Sequence, residues 1–97
     1  MKVFWSPLAR QRVLEIAEWI RWDKPGAAAR WGERLLAEVE TLAELPRRGR
    51  VVPELERPEV RELLFGNYRV IYRVAGEELV ILTVRHGRRL LDLDELR

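Results

Sequence analysis

The first apolar positions of the chain form a short run over residues 2–5, which Ser6-Pro7 interrupts. That run reads as a strand. Ser6 suits a helix N-cap, whose side-chain oxygen accepts an otherwise orphaned backbone N–H, and Pro7 suits the first helical position, where its missing N–H costs nothing. Ala9, Val13, Ile16, Ala17 and Ile20 then recur every three or four residues, predicting a helix with a single core-facing stripe that ends near Asp23. Lys24-Pro25-Gly26 restarts the chain, with Pro25 in a helix-opening role, and a second helix runs to about Leu45. Ala28, Trp31, Leu35, Val39 and Leu42 form its apolar face, Glu33, Arg34, Glu40 and Glu44 lie mostly elsewhere, and Pro46 ends it. Two helices joined by so short a turn make an antiparallel hairpin.

Beyond Pro46 the pattern changes period. Arg47-Arg48-Gly49-Arg50 opens a loop that continues through Pro53 to Pro58, and its prolines, glycine and charges exclude regular structure. Three strands follow, over 60–65, 68–74 and 78–85, with turns at Gly66-Asn67 and Ala75-Gly76-Glu77. Tyr68, Val70, Tyr72 and Val74 alternate with Arg69, Ile71 and Arg73, giving that strand two unlike faces. Leu79 to Val84 is apolar at nearly every position, as expected of a central strand buried on both sides. The tail, 87–97, mixes leucines with charges and reads as a short strand or a helical turn. The fold class is α+β in the order β-α-α-β-β-β, an antiparallel sheet with a helical hairpin packed on one face, and residues 1–97 form one domain.

Composition narrows the chemistry. The net charge is only +2, which permits nucleic-acid contact without demanding it. The basic residues are arginine except for Lys2 and Lys24. Arginine presents a planar fork suited to carboxylates and phosphates, although a GC-rich genome raises the arginine total by itself, so placement has to decide function. With no cysteine there is no disulfide, thiolate nucleophile or thiolate metal site. No spacing of His, Asp and Glu suggests a metal, no glycine-rich phosphate loop or nucleophile elbow is present, and no cofactor is expected. The N-terminus lacks the apolar region of a signal peptide and no apolar run approaches membrane-spanning length, so a soluble cytoplasmic protein with no membrane partner is expected.

Several phrases, in this order along the chain, resemble the ParE/RelE toxin superfamily. They are Phe4-Trp5-Ser6-Pro7, Asp23 to Ala28, Leu45 to Arg50 with Pro53-Glu54-Leu55, Arg61-Glu62-Leu63 with Asn67 to Val74, and Val84 to Arg89. The resemblance covers residues 3–89 and leans toward the ParE-like branch, often labelled plasmid stabilisation proteins. It implies the toxin of a type II toxin–antitoxin system, growth-arresting when free and neutralised by a ParD-like or related antitoxin in a hetero-oligomer. Two activities follow from the two branches. ParE-type members poison DNA gyrase by binding it; RelE-type members are metal-independent endoribonucleases that cut mRNA on the ribosome. A descendant that keeps the scaffold and binds a partner without toxicity is a third reading.

On the RelE-like reading the resemblance places catalysis at Arg61, Arg69, His86 and Arg89. Fixed guanidinium groups would stabilise the charge that builds on phosphorus, and the lone histidine titrates near neutral pH. That set is incomplete, because the basic pair before the hairpin is interrupted by Glu62 and Leu63 and the tail contains no aromatic residue. Arg69 and Arg73 read equally as the solvated face of an amphipathic strand. On the binding reading the contacts are Trp19, Trp22, Arg73 and Arg88. Trp19 and Trp22 fall beside the core stripe of the first helix, where tryptophan makes a strong anchor, whereas Trp31 falls on the core stripe of the second.

Overall fold

A computed structural model describes residues 1–87 and 91–96. Strand β1 (Lys2–Trp5) leads directly into helix α1 (Pro7–Asp23). Ser6 Oγ accepts the Ala9 N–H at 3.0 Å and donates to the Leu82 carbonyl at 2.9 Å, so one hydroxyl caps the helix and ties it to the sheet. The predicted stripe of Ala9, Val13, Ile16, Ala17 and Ile20 is the face that packs into the core.

Helix α2 (Ala27–Glu40) departs from its expected limits at both ends. Pro25 does not open it. Gly26 does, with φ +88°, a left-handed backbone that glycine adopts without the Cβ penalty of other residues. At the far end the chain tightens into a 3₁₀ turn, Thr41–Ala43, instead of continuing helical to Leu45. The Thr41 hydroxyl donates to the Glu38 carbonyl at 2.6 Å, a back-bond that competes with the regular ladder.

The remaining strands are β2 (Arg50–Val51), β3 (Val60–Phe65), β4 (Tyr68–Ala75) and β5 (Glu78–His86), and the sheet order is β1-β5-β4-β3-β2. Two expectations are corrected. The sheet is not antiparallel throughout, because β1 runs parallel to β5, from Lys2 opposite Glu78 to Trp5 opposite Ile81. The connection between this parallel pair runs through both helices and strands β2 to β4, well beyond the dozen or so residues that a parallel crossover needs. The loop after Pro46 also contains regular structure, since Arg50 and Val51 pair with Glu62 and Arg61.

The sheet is covered on both faces, which places β5 in the interior as its composition predicts. The main core joins α1 and α2 to Leu63, Val70, Tyr72, Leu79, Ile81 and Val84. A smaller core on the opposite face contains Val52, Val60, Ile71, Leu82 and Leu96, with Leu55, Val80 and Leu91 packed against it. Its cover is the 52–59 loop and the C-terminal segment, which forms a 3₁₀ turn, Leu93–Leu96. A bulge lets β5 serve both cores: Tyr72 lies opposite Ile81 and Ile71 opposite Thr83, leaving Leu82 as the extra residue and returning Val84 to the helical side.

Tyr72 is fully buried and fastens the exit of α2 to the sheet. Its hydroxyl donates to the Pro46 carbonyl at 2.7 Å and accepts the Gly49 N–H at 2.9 Å. Burial raises its pKa, so the phenol stays protonated and keeps both bonds. No described helix is long and apolar enough to cross a membrane.

Candidate functional site

Arg69 is buried, and carboxylates surround it. Its Nε donates to Glu62, while Nη1 and Nη2 grip Glu54 at 2.9 and 3.0 Å. Glu62 is itself only 1% exposed and accepts a second bond, from Arg50 Nε at 2.6 Å. Strand register explains the meeting. Arg69 lies opposite Leu64 on β3, so Glu62 is its diagonal neighbour on the same face, and β2 lays Arg50 directly opposite Glu62. The guanidinium that was a candidate for gripping phosphate instead bridges two carboxylates. It orders the 52–59 loop over the smaller core.

Cross-strand from Arg69 stands Arg85, a like charge in direct opposition. Each has its own counter-ion: Arg69 has Glu54 and Glu62, and Arg85 Nη1 donates to Glu95 at 2.8 Å. The repulsion expected of facing cations is thereby offset within each pair.

The other candidates are distributed over both faces. Arg61 lies on the helical side of β3 and donates to the carbonyls of Pro58 and Gly49 at 3.1 and 3.0 Å, bracing the loop. His86 lies on the helical side of β5, with its ring 5.5 Å from that of Tyr68 in an edge-on contact, and Tyr68 in turn meets Trp31. Arg69 and His86 do reach the rim of one shallow cleft of about 480 Å³, together with Arg50, Glu54, Asn67 and Tyr68. Arg61 is not part of it. Arg88 and Arg89 lie outside the described residues. Arg73 is half-buried on the side of the smaller core, with a buried Nε that has no hydrogen-bond partner among the described residues. Among those residues no group of three His, Asp or Glu side chains could hold a metal ion.

The tryptophans divide as helical spacing predicts. Trp31 is buried, whereas Trp19 and Trp22 are 75% and 82% exposed. Leu14 joins them on the outward side of α1 at 71% exposure. Trp19 also lines a second cleft, of about 400 Å³, with Arg12, Glu15, Ile16, Tyr68, Val84, Arg85 and His86. An outward helical face carrying two tryptophans and a leucine keeps a large apolar area in water, which is unusual for a helix whose opposite face already serves the core.

Sequence reasoning missed the carboxylates. Glu62 stands inside the strand predicted over 60–65, in an Arg-Glu-Leu phrase with nothing local to mark it as buried. Glu54 stands in a loop that reads as solvated, and the signal for both was the pairing register, which no local window contains. Glu54 makes the network pH-sensitive. Its bond from Arg69 holds its carboxyl below the usual value near 4.5. A depressed folded-state pKa contributes stability that is fully present above that usual value and is lost as pH falls through the folded one. Wild type is therefore expected to exceed E54Q in stability at neutral pH, and the gap should close on acidification below about 4.5. Urea midpoints at neutral and acid pH measure this, and a gap that stays constant would mean that the pair contributes nothing.

Comparison with known proteins agrees with this architecture. The family model described as "ParE toxin of type II toxin-antitoxin system, parDE" matches residues 3–91. A protein of Sinorhizobium fredii named "Putative toxin Y4kP" is 36% identical over 90 residues, covering 91% of this chain and 90% of that one. A solved structure titled "Chromosomal ParDE TA system from P. aeruginosa" superposes with a TM-score of 0.76 at 24% identity, covering 89% of this chain and 95% of that one. At that identity the structural likeness speaks for the fold, while the match over residues 3–91 speaks for the lineage: the chain belongs to the ParE toxin family of type II toxin–antitoxin systems.

Proposed function

We propose that this protein arrests growth by binding a protein target, DNA gyrase, and that a ParD-like antitoxin neutralises it in a hetero-oligomer. The observation that carries the binding mode is the pairing of Arg69 with two carboxylates, Glu54 and Glu62. A guanidinium already held by two carboxylates has little left to offer a scissile phosphate, and Arg61 braces a loop elsewhere. The exposed Trp19 and Trp22 supply what a binding protein needs instead, since tryptophan buries a large area with few rotatable bonds.

Inhibition of supercoiling by purified gyrase at near-stoichiometric toxin is the expected result. Undisturbed supercoiling together with new cuts in ribosome-bound mRNA would reject this reading in favour of the RelE-like one, and normal growth on unaccompanied expression would favour the non-toxic one. The double variant W19A/W22A is expected to fold with stability within about 0.5 kcal/mol of wild type, as is usual for exposed positions. Its affinity for gyrase or antitoxin should fall by about 2 kcal/mol or more, the scale of an interface anchor. Calorimetric titration checks this. Unchanged affinity for both partners would remove the tryptophans from the interface.

A further inference from the structure

The two edges of the sheet are unlike. Strand β2 closes one of them with only two residues, Arg50 and Val51, and Pro53 follows closely. Strand β1 closes the other with four residues that are apolar except for Lys2. The backbone of β1 alternates in direction. The N–H groups of Lys2 and Ser6 donate to the carbonyls of Glu77 and Ile81 at 3.4 and 2.9 Å, toward β5. Val3 and Trp5 therefore turn their N–H and C=O groups the other way, and no hydrogen bond among the described residues reaches them.

The side chains of β1 divide between the two faces. Val3 and Trp5 pack against the main core, whereas Phe4 points to the face opposite the helices and is 44% exposed. Register sets Phe4 at the end of a row across the sheet: it lies opposite Val80, Val80 opposite Arg73, and Arg73 opposite Val60. Val60 is buried, Val80 and Arg73 are partly buried, and Phe4 is exposed, so the cover of the smaller core stops short of β1. An open strand edge with an aromatic beside it is a surface that proteins guard with charge, proline or brevity. Here Lys2 and Pro7 guard the ends of β1 and leave its middle open.

We propose that β1 pairs antiparallel with β1 of a second copy of this chain, about a two-fold axis at Phe4. Val3 of each copy then lies opposite Trp5 of the other. These are the residues whose backbone groups turn outward, so each such pair exchanges both of its hydrogen bonds. The two Phe4 side chains meet across the closer, non-hydrogen-bonded pair, where aromatic neighbours stabilise a sheet. Charge fits the same register. Lys2 falls opposite Ser6 of the copy and keeps Glu78 across from it on β5, so no like charges face one another. The pairing also closes, because it uses the β1 edge of both copies and leaves the short β2 at either end. So short a seam buries less than the roughly 1,200 Å² of a stable interface, and the dimer is reversible and concentration-dependent. It is independent of the gyrase and antitoxin reading.

The test follows the full chain by sedimentation velocity over a concentration series, with amide exchange on the dilute and concentrated samples. Wild type should pass from one chain to two. Exchange at Val3 and Trp5 should slow at least tenfold in the concentrated sample, while Phe4, whose N–H points toward β5, stays unchanged. F4K and F4E should each pair at least tenfold more weakly than wild type, since like charges meet on the axis, and an equal mixture of the two should recover the dimer. V3P removes an N–H that the sheet of one copy does not use, so it should fold and lose pairing at least tenfold. Wild type that stays a single chain throughout, assemblies larger than two, F4E pairing alone as tightly as wild type, a mixture of F4K and F4E that stays apart, or folded V3P that pairs undiminished would overturn the proposal. So would protection of Val3 and Trp5 that arrives only when a ParD-like antitoxin is added, which would give the edge to that partner.

Discussion

Replacing Arg69 by alanine is expected to cost about 3–5 kcal/mol of folding stability, the usual consequence of leaving one member of a buried ion pair without its partner. Glu62 would remain buried with Arg50 alone, and Glu54 would lose the two bonds by which Arg69 ties it to the sheet. Against a typical domain stability of about 5–15 kcal/mol this is a large fraction. R69K should fall between, because a single ammonium replaces a fork that reaches two carboxylates. Urea unfolding read by tryptophan fluorescence measures the effect, and a loss below about 1 kcal/mol would assign the cluster to the surface class of ion pairs. The result governs how activity data are read. If R69A abolishes toxicity, the unfolded fraction has to be known before the loss is attributed to chemistry at that arginine.

Gly49→Ala is the second large effect. A Cβ at this position would stand 2.5 Å from the Glu62 carbonyl oxygen and 2.6 Å from the Tyr72 hydroxyl, and one of those neighbours is backbone in a paired strand. Overpacking of this sort costs about 1–3 kcal/mol. Displacing the Gly49 N–H from the Tyr72 hydroxyl adds about 1–3 kcal/mol for a buried donor left unmade. Y72F separates the two contributions, since it removes the hydrogen bonds and leaves the space. Thermal unfolding of G49A, Y72F and the double variant completes the cycle. If G49A loses no more stability than Y72F, the steric part is absent and the backbone has room to move.

These two sites show what could and could not be read along the chain. Periodic features were legible: the α1 stripe from Ala9 to Ile20, the alternation of Tyr68, Val70 and Tyr72, and the doubly buried run at Leu79 to Val84 each follow from local spacing and appear in the structure. The separation of Trp31 from Trp19 and Trp22 is legible on the same basis, as a matter of angle around a helix. Whatever depends on which strand meets which was not. Strand β1 gives no local sign that its partner lies across residues 78–81, or that the pairing is parallel. Glu62 carries no mark of burial, because its two arginines arrive from β2 and β4. Arg69 looked available for phosphate because its carboxylates lie 7 and 15 positions away in the chain.

The pairing of β1 with β5 has a consequence for how the molecule comes into being on the ribosome. Strand β5 lies between β1 and β4 in the sheet, and everything before it lacks the surface on which β1 and α1 finally rest. The Ser6 hydroxyl bonds to a carbonyl 76 residues downstream, so the first turn of helix to emerge cannot be fixed in place until nearly all of the chain has been synthesised. Closure over so long a span slows folding and leaves partial products open to chaperones and proteases. A chain assembled in this order keeps β1 and α1 from their final seat until the last strand has slid between the first and the fourth.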